Sequence, residues 1–585
     1  MGVKVRFERE TSDLSGFWNF RTDPEDEGER GRWFERKSFS DWDRLYVPAS
    51  WNEQDSAYTW YMGVAWYARE FYVPRDWKGR VVILNFDGVN YKAKVWVNGA
   101  YLGEHEGGFT PFSFRVEDKL RLGEDNGVIV KVDNTLTRKT APPDEGMSRT
   151  YIDFFHYGGI HREVFLHCLP KLFIDDLALR TDIKDDDGII DVVVRIVNET
   201  DERYFCKLTL SILENSGVVA ERPVRIMMGP KSEKVVNEKL RVKAAKFWSP
   251  ESPHLYKLRV TLIYGENQGD TKDVKFGIRT VRIDNGKILL NGRPVFLKGC
   301  VRHEDFPVLG ETLHGAVLRK DFGLMREIGC NSFRTFYHPY SRSHMNLADE
   351  YGFLVILEMP TAELCQHVDK LDDLELAEKI KKVTLEAIER DKSRPSVIMY
   401  SLFNELDNGR EEFRTLLKNV ADEVRKADPT RPITFVSYKY LEDKALEMVD
   451  VLCHNFCYER YSLCGDLVNT EKALNETLEE LLKRYMDKPI IVTEFDVDAI
   501  AGDSQEHPEI LSEDHQAEYI KTIWKVLCSK DYVSGGHICN FADFVVGQSQ
   551  RKVTLNQTGI FTRTRDPKLL VEVVKGLFRN TPTYR

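Results

Sequence analysis

The strongest constraint on the fold is a change of pattern near residue 285 of this 585-residue chain. Beyond that point, short apolar runs alternate with amphipathic stretches, which is typical of parallel strands joined by helices. Eight such units in about 300 residues favour a (β/α)8 barrel. A doubly wound sheet is the alternative, but few glycine-rich turns follow the strands and no GxGxxG or Walker motif opens a helix. The predicted strands are Val295–Val301, Ser332–Phe336, Phe353–Leu357, Val397–Phe403, Ile433–Val436, Val449–His454, Ile490–Thr493 and Gly535–Asn540, and the predicted helices include Leu318–Ile328, Ala377–Arg390, Glu412–Lys426, Glu471–Tyr485 and Asp514–Leu527.

Before residue 285 the chain consists of short strand-like runs separated by turns. Val81–Phe86 is one such run, and the Asn98-Gly99 dipeptide predicts a hairpin turn. A second group of strand-like runs begins after a linker at Leu169-Pro170. The pattern predicts two β-sandwiches in series. Because the chain is too long for one core, we expect three domains, at residues 1–170, 171–280 and 281–585.

Composition excludes several classes of partner. The net charge of −11 argues against nucleic acid, which needs a basic face, and against anionic lipid. No run reaches the roughly 18 apolar residues of a membrane span, and the first residues lack the apolar core of a signal peptide. Ten cysteines without regular spacing are typical of reduced thiols. We therefore expect a cytoplasmic protein that binds neither nucleic acid nor membrane.

One group of cysteines has part of a metal-binding pattern. Cys453 and His454 are followed by Cys457 and Cys464. No second pair of cysteines or histidines completes the ligand set that zinc prefers. We therefore expect no metal at this place.

Polar and ionisable residues stand at the end of nearly every predicted barrel strand. The active site of a (β/α)8 barrel is built from these ends. Two strands end on Glu405 and Glu494, and a buried acid is costly unless it is paired or used. A single strand-end glutamate is more often a helix cap or an ion-pair partner, but the convergence of many such residues on one rim favours an active site. The other residues at these ends are Arg302, His303, Glu304, Asp305, Arg334, Glu358, Asn404, Asn455, Asn540 and Asp543.

Two carboxylates facing one pocket are suited to cleaving glycosidic bonds. One must be ionised to attack the anomeric carbon, while the other protonates the leaving oxygen. Glu405 follows Asn404, whose amide is suited to holding a sugar 2-hydroxyl. This neighbour favours Glu405 as the acid/base and Glu494 as the nucleophile, although the residues alone leave the reverse assignment open.

Several longer motifs, in a fixed order from about residue 10 to 570, resemble glycoside hydrolase family 2, and within it the β-glucuronidases. They include Leu14-x-Gly-x-Trp18, Val95-Trp-Val-Asn98-Gly99, Asp153-Phe-Phe-His-Tyr-Gly-Gly-Ile-His161-Arg162, Trp248-Ser-Pro, Asn291-Gly-Arg-Pro, Arg302-His303-Glu304-Asp305, Asn404-Glu405, Thr493-Glu494, Asn540-Phe-Ala-Asp and Gly559-Ile-Phe-Thr-Arg563.

The resemblance implies a multidomain α+β fold: a jelly-roll, sugar-binding-like sandwich, an immunoglobulin-like sandwich and a catalytic barrel. It implies a retaining, exo-acting β-glycosidase with Glu405 as acid/base and Glu494 as nucleophile, a glycoside substrate, no metal or organic cofactor, and a homo-oligomer, dimer or tetramer. It also implies that Asp153, His303, Asn404 and Asn455 line the sugar subsite. Arg334, Tyr458, Tyr461, Asn556 and Thr558 complete the candidate substrate-binding set.

Four positions depart from the β-glucuronidase pattern. The lysine of Asn-x-Lys, which pairs with the uronate in the family, is Thr558, and Arg551 and Lys552 upstream are candidates to replace its charge. The usual Ser-His-Tyr-Pro is Phe336-Tyr337-His338-Pro339. A tyrosine that orients the nucleophile is Cys457, with Tyr458 and Tyr461 as nearby substitutes, and a tryptophan of the sugar pocket is Cys539.

These departures allow three interpretations: drift in a divergent β-glucuronidase, an altered sugar specificity, or loss of turnover in a carbohydrate-binding homologue. A β-galacturonidase or a neutral-sugar β-glycosidase such as a β-galactosidase would represent the second. The stretch Met359–Asp373 is short and predicts an open aglycone side. The identity of the sugar and of the aglycone stays open.

Overall fold

The computed structural model describes residues 6–7, 9–141, 154–266, 268–361, 373–406, 409–439, 442–456, 465–506, 508–547 and 554–585. Two β-sandwiches precede a closed eight-stranded barrel, as the change of pattern near residue 285 predicts. Among these residues, no helix is long and apolar enough to cross a membrane.

The first sandwich packs a six-stranded sheet, in the order β4-β3-β5-β10-β7-β8, against a four-stranded sheet, in the order β2-β11-β6-β9. Alternating apolar side chains such as Val82, Leu84 and Phe86 form the core between the sheets. The Asn98-Gly99 turn joins β7 to β8 with positive φ at both residues, as the dipeptide predicts. The strands are β2 Glu10–Asp13, β3 Gly16–Thr22, β4 Asp43–Val47, β5 Val64–Val73, β6 Val81–Phe86, β7 Lys92–Val97, β8 Ala100–Glu106, β9 Phe112–Arg115, β10 Glu124–Asp133 and β11 Val164–Leu169.

The second sandwich packs the sheet β1-β18-β17-β14-β15 against the sheet β12-β13-β16. Its β1, at Arg6–Phe7, pairs in parallel with β18, so the chain touches this sandwich before it builds the first one. The remaining strands are β12 Leu172–Lys184, β13 Asp187–Asn198, β14 Tyr204–Glu214, β15 Gly217–Met228, β16 Ser232–Val242, β17 Tyr256–Tyr264 and β18 Gln268–Phe276.

A small antiparallel sheet, β19 Val281–Asp284, β20 Lys287–Leu290 and β21 Arg293–Pro294, leads into the barrel. Eight parallel strands then close on each other, because β22 pairs with both β23 and β29. Their residues are almost all buried, as expected for parallel strands covered on both faces. The strands are β22 Leu297–Arg302, β23 Ser332–Thr335, β24 Leu354–Glu358, β25 Val397–Asn404, β26 Ile433–Ser437, β27 Leu452–Asn455, β28 Ile490–Phe495 and β29 Val533–Ile538.

Amphipathic helices surround the barrel, and each of the five named from the sequence is present within a few residues of its expected ends. Two further helices, α2 and α7, are not among those named. A hairpin of β30 Phe544–Val545 and β31 Leu555–Asn556 follows the last barrel strand. The helices are α1 Gly315–Glu327, α2 Arg342–Tyr351, α3 Leu374–Asp391, α4 Glu411–Ala427, α5 Leu467–Arg484, α6 Glu513–Ser529 and α7 Leu570–Asn580.

Candidate active site

The strand-end residues predicted from the sequence meet at the carboxyl rim of the barrel. Glu358, Asn404 and Asn455 are the last residues of β24, β25 and β27. Glu405 follows β25 directly, and Glu494 lies in β28 opposite Asn455 in the strand register. Because the carboxyl ends of parallel barrel strands share one rim, these groups surround one place.

Arg334 on β23 connects three of these residues. Its Nε and Nη2 donate to the two oxygens of Glu358 at 2.9 and 3.0 Å, a bidentate ion pair. Its Nη1 donates to Glu494 Oε1 at 2.6 Å, and Nη2 also donates to Asn404 Oδ1 at 2.8 Å. The Arg334 and Glu358 side chains are fully buried. Arg334 therefore lies at the centre of the rim and fixes the positions of two carboxylates.

Two carboxylates compete for the single positive charge of Arg334. Burial raises the pKa of Glu358 to about 7, and the charge on Glu494 adds to this effect while Arg334 opposes it. Burial alone would lower the pKa of Arg334, but the negative charges of Glu358 and Glu494 raise it by more. The net shift of the Arg334 pKa is therefore upward. When Glu358 holds a proton, Glu494 is the carboxylate that balances Arg334.

Glu405 receives a hydrogen bond from a neutral amide. Asn455 Nδ2 donates to Glu405 Oε1 at 2.6 Å, and Thr493 Oγ1 donates to Asn455 Oδ1 at 2.9 Å, which fixes the orientation of the amide. The Glu405 backbone is in the left-handed region at φ 51°, where a residue with a side chain is strained by about 1–2 kcal/mol. Its N–H donates to Val436 O at 3.0 Å, so β26 holds the turn in place.

A chain of hydrogen bonds joins the two glutamates. Asn455 Nδ2 lies 3.5 Å from Asn404 Oδ1, which accepts from Arg334. The chain therefore runs from Glu494 through Arg334, Asn404 and Asn455 to Glu405. The structure thus brings Glu405, Glu494, Arg334, Asn404 and Asn455 into contact, as predicted for one site. Glu358, which the sequence marked only as a strand end, joins them through Arg334.

His303 lies against aromatic rings at the same rim. Its ring stacks on Phe544 with centroids 3.6 Å apart and meets Phe336 edge-on at 4.1 Å. These rings line a narrow cavity of about 30 Å³ between the first sandwich and the barrel. Further residues that line it are Phe109, Phe154, Phe155, His156, Tyr157, Glu304, Asp305, Glu311, Tyr337, His338, Pro360 and Val545.

Two of the departures contact each other through this aromatic cluster. Phe336, which follows β23, packs in one apolar cluster with Val301 of β22 and Cys539, which follows β29. Tyr337 packs against the same cluster, with its ring centroid 3.6 Å from that of Phe336. The rings of Phe336 and Tyr337 thus lie beside Cys539. Cys539 is the residue that stands where the β-glucuronidase pattern has a tryptophan.

Asn556 and Thr558 form a closed local unit. The backbone N–H and the hydroxyl of Thr558 both donate to Asn556 Oδ1, at 3.0 and 2.7 Å. Because a backbone N–H can only donate, the atom facing it must be the amide oxygen. The Asn556 NH2 group therefore points away from Thr558. Both side chains are buried, so this segment presents a fixed, neutral amide donor.

Several predicted residues lie outside the described part of the chain. They are Asp153, Cys457, Tyr458, Tyr461, Cys464, Arg551 and Lys552. Cys453 and His454 are described and buried on β27, and burial lowers the pKa of His454 to about 4. Within the described ranges, no group of three His, Cys, Asp or Glu residues is placed to hold a metal ion.

An ion-pair network between the first sandwich and the barrel rim was not anticipated. Arg563 donates to Asp305 at 2.7 Å and to Glu53 at 2.7 Å, and Tyr157 donates to Asp305 at 3.1 Å. Asp305 and Arg563 belong to family-like sequence motifs, whereas no sequence motif pointed to Glu53. The network holds Tyr157 and Glu53 of the first sandwich against the barrel rim.

A closed parallel barrel with buried carboxylates at its strand ends is compatible with cleavage of glycosidic bonds by a carboxylate pair. Three family models match the chain in order. They are the sugar-binding domain of glycosyl hydrolases family 2 over residues 11–170, glycosyl hydrolases family 2 over 172–279, and the family 2 TIM barrel domain over 281–581. The chain belongs to glycoside hydrolase family 2.

Relatives of known name agree with this placement. A β-glucuronidase of Paenibacillus borealis is 33% identical over 97% of this chain and 96% of its own length. The rat β-glucuronidase is also 33% identical, over 97% of this chain and 90% of its own. The solved β-glucuronidase of Lactobacillus rhamnosus superposes with a TM-score of 0.92 at 31% identity, covering 99% of both chains. A Ruminococcus gnavus β-glucuronidase in complex with D-glucuronic acid gives a TM-score of 0.90 at 30% identity, covering 98% of this chain and 99% of its own.

Proposed function

We propose that the protein is a retaining, exo-acting β-glycosidase in which Glu494 is the nucleophile and Glu405 is the acid/base. The observation that carries this assignment is the ion pair between Arg334 Nη1 and Glu494 Oε1 at 2.6 Å. A cation stabilises the ionised carboxylate that a nucleophile needs. Glu405 contacts the neutral amide of Asn455, which is compatible with either protonation state and therefore with acid and base steps in turn.

In the first step Glu405 would donate its proton to the glycosidic oxygen while Glu494 forms a bond to the anomeric carbon and the aglycone leaves. In the second step Glu405 would remove a proton from water, which attacks the anomeric carbon and releases Glu494. Asn404 would hold the sugar 2-hydroxyl. Its Oδ1 accepts from Arg334, so its NH2 group faces elsewhere and is able to donate to the sugar.

For the sugar, we propose a β-glucuronide-like substrate with a relaxed preference at C5. The support is the 33% identity to β-glucuronidases over nearly the whole chain, combined with the neutral donor at Asn556 and Thr558. A neutral amide donates to a carboxylate or to a hydroxymethyl group, but charge-assisted bonds are about twice as strong. This favours weaker discrimination at C5 than a lysine would give. A β-galacturonidase, a neutral-sugar β-glycosidase and a weakly catalytic carbohydrate-binding homologue are the alternatives.

A panel of p-nitrophenyl β-glycosides tests the proposed function. We expect turnover of the β-D-glucuronide, with the β-D-galacturonide, β-D-glucoside and β-D-galactoside cleaved at measurable but lower kcat/KM. A strict glucuronide preference would contradict the relaxed preference at C5, and a preference for a neutral sugar would favour the alternative. If no glycoside were cleaved while sugars still bound, the protein would be a binding homologue.

Thr558→Lys is expected to raise kcat/KM for the β-glucuronide relative to the β-glucoside by about 10- to 100-fold, since a hydrogen bond to a charged group is worth about 1.5–3 kcal/mol. Thr558→Met is the matched control, because it adds a long side chain without a charge. Rates on both glycosides are compared for the two variants. Equal ratios in both would show that this position does not read the C5 substituent.

We also propose a cytoplasmic homo-oligomer, as the family resemblance and composition suggest. The described cysteines include seven that form no disulfide, which suits a reducing compartment. The exposed pair Phe205 and Met227 lies on β14 and the edge strand β15, where a second copy has apolar surface to bury. Light scattering at several concentrations would measure the oligomeric state.

A further inference from the structure

Lys568 lies beneath the segment that carries Asn556 and Thr558. Its ammonium group is fully buried and donates to Ala499 O at 3.0 Å, Asp543 Oδ1 at 2.8 Å and Gln557 O at 2.8 Å. An ammonium group has three donors, and all three are used. Lys568 therefore has no donor left for a sugar carboxylate and cannot replace the charge that Thr558 lacks.

Asp543 holds the same segment by a hydrogen bond from the barrel side. Its Oδ1 accepts from Gly559 N at 2.9 Å as well as from Lys568. The approach is close, because a Cβ at Gly559 would lie 2.3 Å from Asp543 N. Burial raises the pKa of Asp543 to about 6, with Lys568 opposing and Asp498 adding to the shift. At neutral pH Asp543 is therefore mainly ionised, and asparagine would remove its charge while keeping an acceptor oxygen for Gly559 N.

Two further backbone groups of the segment are also held. Gln557 N donates to Asp498 Oδ1 at 3.1 Å, and Thr558 O accepts from Gln516 Nε2 at 3.1 Å. Hydrogen bonds therefore reach the segment from four parts of the barrel. The partners are Gln516 on α6, Asp498 after β28, Asp543 after β29 and Lys568 before α7. A segment that only connected β31 to the following loop would not need ties from four directions, and a buried lysine is costly to retain.

We propose that Lys568, acting with Asp543, is a positioning residue that fixes residues 556–559 and thereby sets discrimination at C5 of the sugar. This inference rests on the proposed function, in which Asn556 and Thr558 face C5. Lys568 does not touch the substrate. It holds the Gln557 carbonyl, so the Asn556 amide keeps one position relative to the catalytic glutamates. A displacement of about 1 Å in a substrate-positioning group can cost up to 100-fold in rate.

The test compares Lys568→Met/Asp543→Asn with the wild type. The double variant removes both charges together, so no buried carboxylate is left without its cation. The side-chain amide oxygen introduced by Asp543→Asn still accepts from Gly559 N. The matched control is Lys575→Met, which removes a lysine of α7 whose partner Glu327 lies on the surface. The substrates are p-nitrophenyl β-D-glucuronide and p-nitrophenyl β-D-glucoside. If one of them is not cleaved, its affinity is measured instead as its Ki for inhibiting hydrolysis of the other.

We expect the glucuronide-to-glucoside ratio of kcat/KM to change by about 10-fold or more in the double variant, mainly through KM. Lys575→Met should leave the ratio unchanged. An equal loss on both substrates, or an unchanged ratio at normal Tm, would overturn the proposal. If the double variant does not fold, Asp543→Asn alone decides, with a smaller change of ratio expected. Absence of turnover and binding in the wild type would instead refute the proposed function.

Discussion

Glu494→Gln is expected to lower kcat by about 10⁴-fold or more on the best substrate, because removing a nucleophile costs several orders of magnitude in rate. The glutamine keeps the size of the side chain and its Oε1 still accepts from Arg334, so the fold should be retained. Steady-state rates are measured with a substrate that has a good leaving group. Near-normal activity would show that Glu494 is not the nucleophile.

The two glutamates can be told apart by rescue with azide, a small anion that does not need a base. In Glu494→Ala, azide would attack from the side that Glu494 occupied and give the α-glycosyl azide. In Glu405→Ala, the covalent intermediate still forms when the leaving group needs no proton, and azide would then give the β-glycosyl azide. Proton NMR of the product distinguishes the two anomers. Reversed products would exchange the proposed roles, and unchanged melting temperatures would exclude misfolding as the cause of the lost rate.

The fold could be predicted from the sequence because its signals are local. Alternation of apolar and polar residues marks strands such as β17, and Asn98-Gly99 marks a turn, without any knowledge of distant contacts. The helices α2 and α7 were not named, although Ser341 and Gly352 flank α2 as N-cap and C-cap, which is a recognisable signal. Strand ends differed by up to three residues, as hydrogen bonding to neighbours decides where pairing stops.

The candidate site was predictable only in part. Strand order places Glu405 and Glu494 on one rim, and this follows from the (β/α)8 pattern alone. That Arg334 contacts both Glu358 and Glu494 depends on side-chain directions across the barrel, which no local pattern gives. The packing of Phe336 beside Cys539 likewise joins positions about 200 residues apart. Such contacts become visible only once the barrel is closed.

The remaining large effect concerns Arg334, whose loss leaves two buried carboxylates without their cation. Arg334→Gln is expected to lower the free energy of unfolding by about 3–5 kcal/mol. Protonation of Glu358, whose pKa burial raises to about 7, relieves the repulsion, so the variant should lose more stability at about pH 8 than at about pH 5.5. Its kcat should fall as well, because Glu494 loses the cation that balances its charge. Urea unfolding at both pH values and steady-state rates measure the two effects, with Arg326→Gln, an exposed arginine of α1, as the control.

A second substitution separates the structural role of Arg334 from its role in catalysis. Glu358→Gln in the Arg334→Gln background removes one of the two negative charges that repel each other. Most of the lost stability should therefore return. Activity should not return, since Glu494 still lacks the cation that stabilises its charge. If the double variant regained wild-type kcat, Arg334 would serve only to neutralise Glu358. Recovery of stability without recovery of rate would instead place the charge of Arg334 in the activation of the nucleophile, with Glu358 as the group that holds the guanidinium in its bidentate position.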